Sequence, residues 1–188
     1  KFFHPDPSVK RQSGFLQPII NSSDVLTESI YVPYFHAISD NKDSTFQTTI
    51  FEDKKILFQN EYRQKNKNSY FTADFGHVTK YKSKKSNNSN SISHLFLKYN
   101  KNLEFKNFSV SKLDIFLEKT SNDTYLRVFD NNLINTAILP QDKDNLRSGF
   151  SLVLDNENYQ FDTGFEVYEN LKTEKNSDRF QYTLPYYS

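Results

Sequence analysis

The sequence has no cysteine, no methionine and no tryptophan, and only 4 glycines in 188 residues. Without cysteine there is no disulfide framework and no thiolate chemistry, and cysteine usage says nothing about compartment. So few glycines leave little room for long flexible linkers. Charge of one sign is also missing. Lys and Arg number 24 against 23 Asp and Glu, a net +1, so no global field selects nucleic acid or an acidic partner. No apolar run approaches the roughly 20 residues that a spanning helix needs. That excludes helical membrane spans and nothing more, because a barrel strand needs only about 9–11 alternating residues.

Chemical motifs are equally sparse. The histidines His4, His36, His77 and His94 are scattered without metal-ligand spacing, so no metal is expected. There is no G-x-S-x-G, no P-loop and no glycine-rich phosphate cradle, so neither an enzyme nor a cofactor is expected. Asp74 and Glu61 could face each other across strands, but a polar sheet face brings carboxylates together without catalysis.

What the chain does have is aromatic residues, 18 Phe and 12 Tyr, which favour pleated, half-buried surfaces. The hydrophobic share is 36% and mean hydropathy −0.77, thin for a soluble core. The apolar residues recur at period two. In 56–63, Ile56, Phe58 and Tyr62 alternate with Gln59, Glu61 and Arg63, with Leu57 as an exception. In 159–168, Tyr159, Phe161, Phe165 and Val167 alternate with Gln160, Asp162, Glu166 and Tyr168. In 179–186, Phe180, Tyr182, Leu184 and Tyr186 alternate with Arg179, Gln181 and Thr183. Residues two apart share a sheet face, so each run builds one apolar and one polar wall.

Further strands are expected over 14–20, 29–35, 45–51, 70–79, 92–99, 105–118, 133–139 and 146–154, making roughly eleven. Short polar connections favour antiparallel hairpins. The predicted fold class is all-β, an antiparallel up-and-down meander forming an open, curved sheet. Helix is expected to be minor, a turn near Asp123–Phe129. Counting strands places connections 21–26, 52–54, 80–90, 120–132 and 155–158 at one end. Connections 39–43, 64–68, 100–102, 140–145 and 170–178 fall at the other. The longer set lies at the first end.

Two early segments, 14–20 and 29–35, each contain a proline, Pro18 and Pro33. Proline lacks a backbone N–H and removes a ladder bond, so a weak seam is expected there. The order Ser13-Gly14-Phe15-Leu16-Gln17-Pro18, then Pro33-Tyr34-Phe35, Asp43-Ser44-Thr45 and Glu61-Tyr62-Arg63 resembles the start of the membrane barrel of the LptD (OstA) family. Asp123-Thr124-Tyr125-Leu126-Arg127 and Leu184-Pro185 continue the resemblance in the same order. Lys1–Lys10 would then be a linker from a periplasmic domain, and 11–188 the N-terminal portion of a large transmembrane barrel.

The resemblance implies transport of lipopolysaccharide into the outer leaflet of the Gram-negative outer membrane. It implies a plug lipoprotein (LptE-like) and a periplasmic bridge protein (LptA-like) as partners. It places Gly14, Phe15, Pro18, Pro33 and Tyr34 at a lateral gate. Gln59, Glu61, Arg63, Asp162, Glu166 and Arg179 would face the lumen, and Lys80, Lys82, Lys84 and Lys85 could meet lipopolysaccharide phosphates. The chain begins at Lys1 without a signal peptide, so a segment excised from a longer exported protein is expected. The alternative is a soluble β-sandwich binding module, with its Phe and Tyr faces buried against each other. A porin or enzyme on a similar barrel is a further rival.

Overall fold

The computed structural model describes residues 11–22, 26–82 and 89–187. The expected linker Lys1–Lys10, and Lys84 and Lys85, lie outside the described residues. The strands are β1 (Gly14–Phe15), β2 (Ile19–Asn21), β3 (Ser29–Ser39), β4 (Lys42–Phe51), β5 (Ile56–Lys65) and β6 (Ser69–Lys82). They continue as β7 (Ser89–Asn102), β8 (Val110–Thr120), β9 (Asn145–Asp155), β10 (Gln160–Asn170) and β11 (Phe180–Tyr187). Two single-turn helices, α1 (Tyr125–Val128) and α2 (Asp130–Leu133), lie between β8 and β9.

All eleven strands form one sheet in chain order, with β1 and β2 both on the outer side of β3 and β11 at the far end. Every pairing is antiparallel. The sheet is open, and its chain-order antiparallel meander is the one the alternation and short connections predict. Strands β3 to β10 are 10 to 14 residues long, enough to cross a hydrocarbon layer.

Three expected elements change. The run 14–20 is not one strand. Gly14 and Phe15 pair with Phe35 and Tyr34, while Ile19 to Asn21 pair with Tyr31 to Ser29, one residue out of register. Leu16, Gln17 and Pro18 thus oppose only Val32 and Pro33, a bulge that breaks the strand at its proline. Second, the strand expected over 105–118 starts only at Val110. Third, 133–139 is no strand. Leu133 closes α2, its carbonyl accepts from the Thr136 amide at 2.9 Å, and Ile138 and Leu139 pack on the core. A short apolar run does not by itself distinguish strand from other buried structure.

Losing that strand reassigns the connections after it. Segments 140–144 and 171–179 join the first end, 121–144 becoming one connection there, and 156–159 moves to the second. The result sharpens the asymmetry, because the 121–144 connection is now unbroken.

Burial reveals which way the sheet faces. Along β4, Thr45, Gln47, Thr49 and Phe51 are buried while Phe46 and Ile50 are exposed. Along β5, Leu57, Gln59 and Glu61 are buried, and Ile56 and Phe58 are exposed. Thr72, Asp74 and His94 continue the buried row, and Phe75, Leu95, Ile115, Phe150 and Phe161 the exposed one. This is the reverse of a soluble sheet, which turns its apolar face inward. At the first end the enclosed face turns apolar. There Phe51, Leu57, Val78, Ile92 and Phe96 meet Tyr125, Leu126, Phe129 and Leu133 of the 121–144 connection. The Phe129 ring lies 6.3 Å from Phe51, 6.1 Å from Tyr81 and 5.1 Å from Tyr125. Each such burial contributes roughly 1.5–3 kcal/mol.

Candidate functional site: the polar wall and its first margin

Gly14, Phe15, Pro18, Pro33 and Tyr34 come together at one margin of the sheet. Gly14 pairs with Phe35 and Phe15 with Tyr34, whose rings meet edge-on at 5.1 Å. Phe15 is 76% exposed. Pro18 sits in the bulge, where it breaks no regular pairing. Pro33 lies inside β3, opposite Gln47 of β4. Its carbonyl accepts from the Leu16 amide at 2.9 Å, across the seam toward β1. A strand residue's N and O point to the same side, so the missing N–H of Pro33 faces that seam too. The ladder toward β4 loses nothing. The seam is short as well: β1 pairs only over Gly14 and Phe15, β2 only over Ile19 to Asn21, while β3 pairs with β4 from Ser29 to Ser39.

The far margin carries the same device. Gly164 pairs with Tyr186 but Glu166 with Thr183, so Leu184 and Pro185 together oppose Phe165.

The polar wall is built from cross-strand rows. Gln59 stands opposite Gly76, Glu61 opposite Asp74 and Arg63 opposite Thr72. Arg63 Nε donates to Asp43 Oδ1 at 2.7 Å, and Arg11 donates to the other oxygen of Asp43. Glu61 Oε2 accepts from the Ala137 amide at 2.9 Å. Farther along, Glu166 accepts from Arg147 Nε at 2.9 Å and from the Tyr168 hydroxyl at 2.5 Å. The Arg147 guanidinium lies 4.4 Å from the Phe116 ring centroid, a cation–π stack. Asp162 is half-buried on the same face of β10 as Glu166.

Arg179 occupies a different setting. It precedes β11, in the single 3-10 turn Ser177–Arg179, and is buried. It donates to Glu169 at 2.8 Å, to Asp123 at 2.6 Å and to the Thr173 carbonyl at 3.2 Å. It therefore ties the 121–144 and 171–179 connections to β10. Lys80 and Lys82 end β6, and Lys80 has a left-handed φ of 58° where the β6–β7 register slips.

The sequence reading missed the buried role of His94. His94 Nε2 bonds Asp74 Oδ1, and His94 Nδ1 lies 2.8 Å from the Tyr125 hydroxyl. With Nε2–H donating to the carboxylate, Nδ1 is left to accept from the phenol. The imidazole stacks on Phe96, centroids 4.3 Å apart. Burial, then the charge of Asp74, push the Tyr125 pKa well up, so the phenol keeps its proton. The one available signal was the alternation in β7, which puts His94 and Phe96 on the same face. Among the described residues no group of three His, Asp or Glu is placed to hold a metal.

These features define an antiparallel β-meander whose polar face is enclosed and whose apolar face is open. Over 68 residues the chain is 34% identical to the LPS-assembly protein LptD of Albidiferax ferrireducens. The matched stretch is 36% of this chain and only 8% of that protein. No protein-family model matches the chain.

Proposed function

We propose that this sheet is a stretch of the wall of an outer-membrane β-barrel that passes lipopolysaccharide to the outer leaflet, and that its first hairpin is the margin that opens sideways. The observation that carries the reading is the inversion of the sheet. Phe46, Phe58, Phe75, Phe150 and Phe161 stand exposed while Gln47, Gln59, Glu61 and Asp74 are enclosed. A soluble sandwich would bury the aromatic row. A wall between lipid and a wet interior requires the pattern seen here. The match to an LPS-assembly protein supplies the cargo class.

In this reading the apolar face meets lipid and the enclosed polar face tolerates a sugar-phosphate headgroup. The first end, with its longer connections, faces outside. Gly14, Phe15, Pro18, Pro33 and Tyr34 make the seam that opens. Gln59, Glu61, Arg63, Asp162 and Glu166 line the wall, and Lys80 and Lys82 offer charge to phosphates at the rim. A lipoprotein plug and a periplasmic bridge protein are the partners such a wall would serve. The role is transport without covalent catalysis.

The test replaces Pro18 and Pro33 together by valine in the full-length parent protein. The arrival of newly made lipopolysaccharide at the cell surface is then followed. Export reduced several-fold at unchanged protein level supports the gate. Unchanged export removes the gate from the reading and leaves the wall.

A further inference from the structure

The 121–144 connection folds over the enclosed face instead of leaving the sheet. Its own structure is slight. Both helices are single turns of four residues, neither has a side-chain cap, and a helix so short does not hold itself. What fixes it is the wall beneath it.

Polar fastenings tie it to the sheet at separate points. Arg179 joins Asp123 to Glu169 of β10, and the Asn135 side chain bonds Tyr31 of β3. Ser121 trades hydrogen bonds with Ser93, 2.8 Å from its amide and 2.7 Å to its hydroxyl, where the connection leaves β8. The Ala137 amide reaches Glu61. Between them stands Tyr125, joined through His94 to Asp74, with all three side chains enclosed. The wall is shaped for this contact. A Cβ on Gly76 would lie 2.3 Å from His94 Cε1, 2.6 Å from His94 Nδ1 and 3.0 Å from the Tyr125 hydroxyl. Any side chain at position 76 would fill the space the imidazole and phenol share.

Several buried polar groups of the wall make no bond to the connection. The Thr49 and Thr72 hydroxyls, the Gln59 amide and Asp74 Oδ2 are buried without a protein partner, as is the Thr136 hydroxyl of the connection. Lifting the connection breaks no protein hydrogen bond at those five places.

We propose that Asp74, His94 and Tyr125 form a latch that holds the 121–144 connection as a removable stopper over the polar wall, with Gly76 as its socket. Release of the latch bares the polar face along β5 and β6. The apolar side chains Leu126, Phe129 and Leu133 then leave their seats on Phe51, Leu57 and Val78. This inference rests on the wall reading above. The latch residues are positioning residues for the stopper and touch no cargo.

The experiment uses the full-length parent in its own membrane, carrying Thr136→Cys as a reporter. Thr136 belongs to the connection and is buried, so its reaction with a membrane-impermeant maleimide reads the stopper's position. Tyr125→Phe keeps the ring packing on Phe129 and removes only the hydroxyl. His94→Gln removes the imidazole. The latch predicts labelling about tenfold faster in Tyr125→Phe, the effect of one buried hydrogen bond. It predicts no further increase when His94→Gln is added. Equal labelling in Tyr125→Phe and its parent overturns the latch, as do strictly multiplicative effects of the two changes.

A lipid-phase carbene probe on Phe58 and Phe150 is read in the same samples. Strong labelling there with an unchanged Thr136→Cys rate removes the latch alone. Absent labelling removes the wall reading and the latch with it. A variant that loses the carbene pattern has not folded, and Asp74→Leu, close in volume and without an acceptor for His94, replaces it with the same expected rise.

Discussion

At Gly76 a missing side chain decides what the opposite strand can hold. Valine there would drive two methyl groups into the imidazole that Asp74 and Tyr125 fix from either side. The neighbours cannot give, because His94 also lies against Phe96. Gly76→Val is expected to cost about 1–3 kcal/mol, the usual range for overpacking. The thermal unfolding transition in detergent measures it, and Gly76→Ala should fall between wild type and valine.

A second expectation at this scale concerns acid. Asp144, in the connection, is held below the usual carboxylate range by Lys172 at 2.5 Å and then by Arg127. Asp142 is lowered by the Asn145 side chain and then by the Asp144 amide. A depressed folded pKa contributes stability above the ordinary carboxylate value and loses it as pH falls through the folded value. The end of the connection should therefore stay tethered at pH 5–8 and loosen only in stronger acid. Asp144→Asn should weaken that acid dependence in amide exchange of 141–144, and Asp142→Asn added to it should abolish what remains.

Single residues were legible where their chemistry is local. The prolines marked the bulge at Pro18 and the missing donor of Pro33, because a missing N–H is a property of one residue. His94 did not announce itself. Its partners are 20 and 31 positions away: the β6–β7 register brings Asp74, and the fold-back of the 121–144 connection brings Tyr125.

Among the elements, the strands follow from alternation, since every other side chain must face the same medium. The exceptions are instructive. Leu57 breaks the pattern of β5 because the connection's Leu and Phe residues roof that end of the wall, so an apolar residue fits the enclosed face. The run 133–139 is apolar for the same reason, which a strand reading cannot see. Arg179 looked like the start of a strand's polar face, and the loop that wraps it lies beyond the reach of periodicity.

Pro33 gives the prediction that belongs to elements. Pro33→Val restores a donor facing β1 and leaves the β4 side as it is. One added backbone bond stabilises by about 0.5–1.5 kcal/mol. The Leu16 amide should exchange roughly 2–10-fold more slowly, with the β4–β5 amides unchanged. Slowing spread over β4 and β5 would mean that the proline acts on the sheet as a whole.

The whole molecule is an open sheet with a proline-bearing bulge at each margin and an inverted distribution of polarity. The class was legible from composition, because 36% apolar residues rich in Phe and Tyr suit one greasy face. The plugging of the polar face by 121–144 was not, since it depends on where a long connection folds back. If the apolar face meets lipid, Phe58→Arg should destabilise the membrane-inserted protein by about 2–4 kcal/mol, and Asn68→Arg in a connection by far less. Urea titration in proteoliposomes compares them.

The most direct measurement is a nitroxide scan along β5, one site at a time from Ile56 to Arg63, in the full-length protein in liposomes. The wall account predicts that oxygen, concentrated in lipid, reaches positions 56, 58 and 60 and is shut out at 57, 59 and 61. The reverse phase, or no alternation at all, would contradict it.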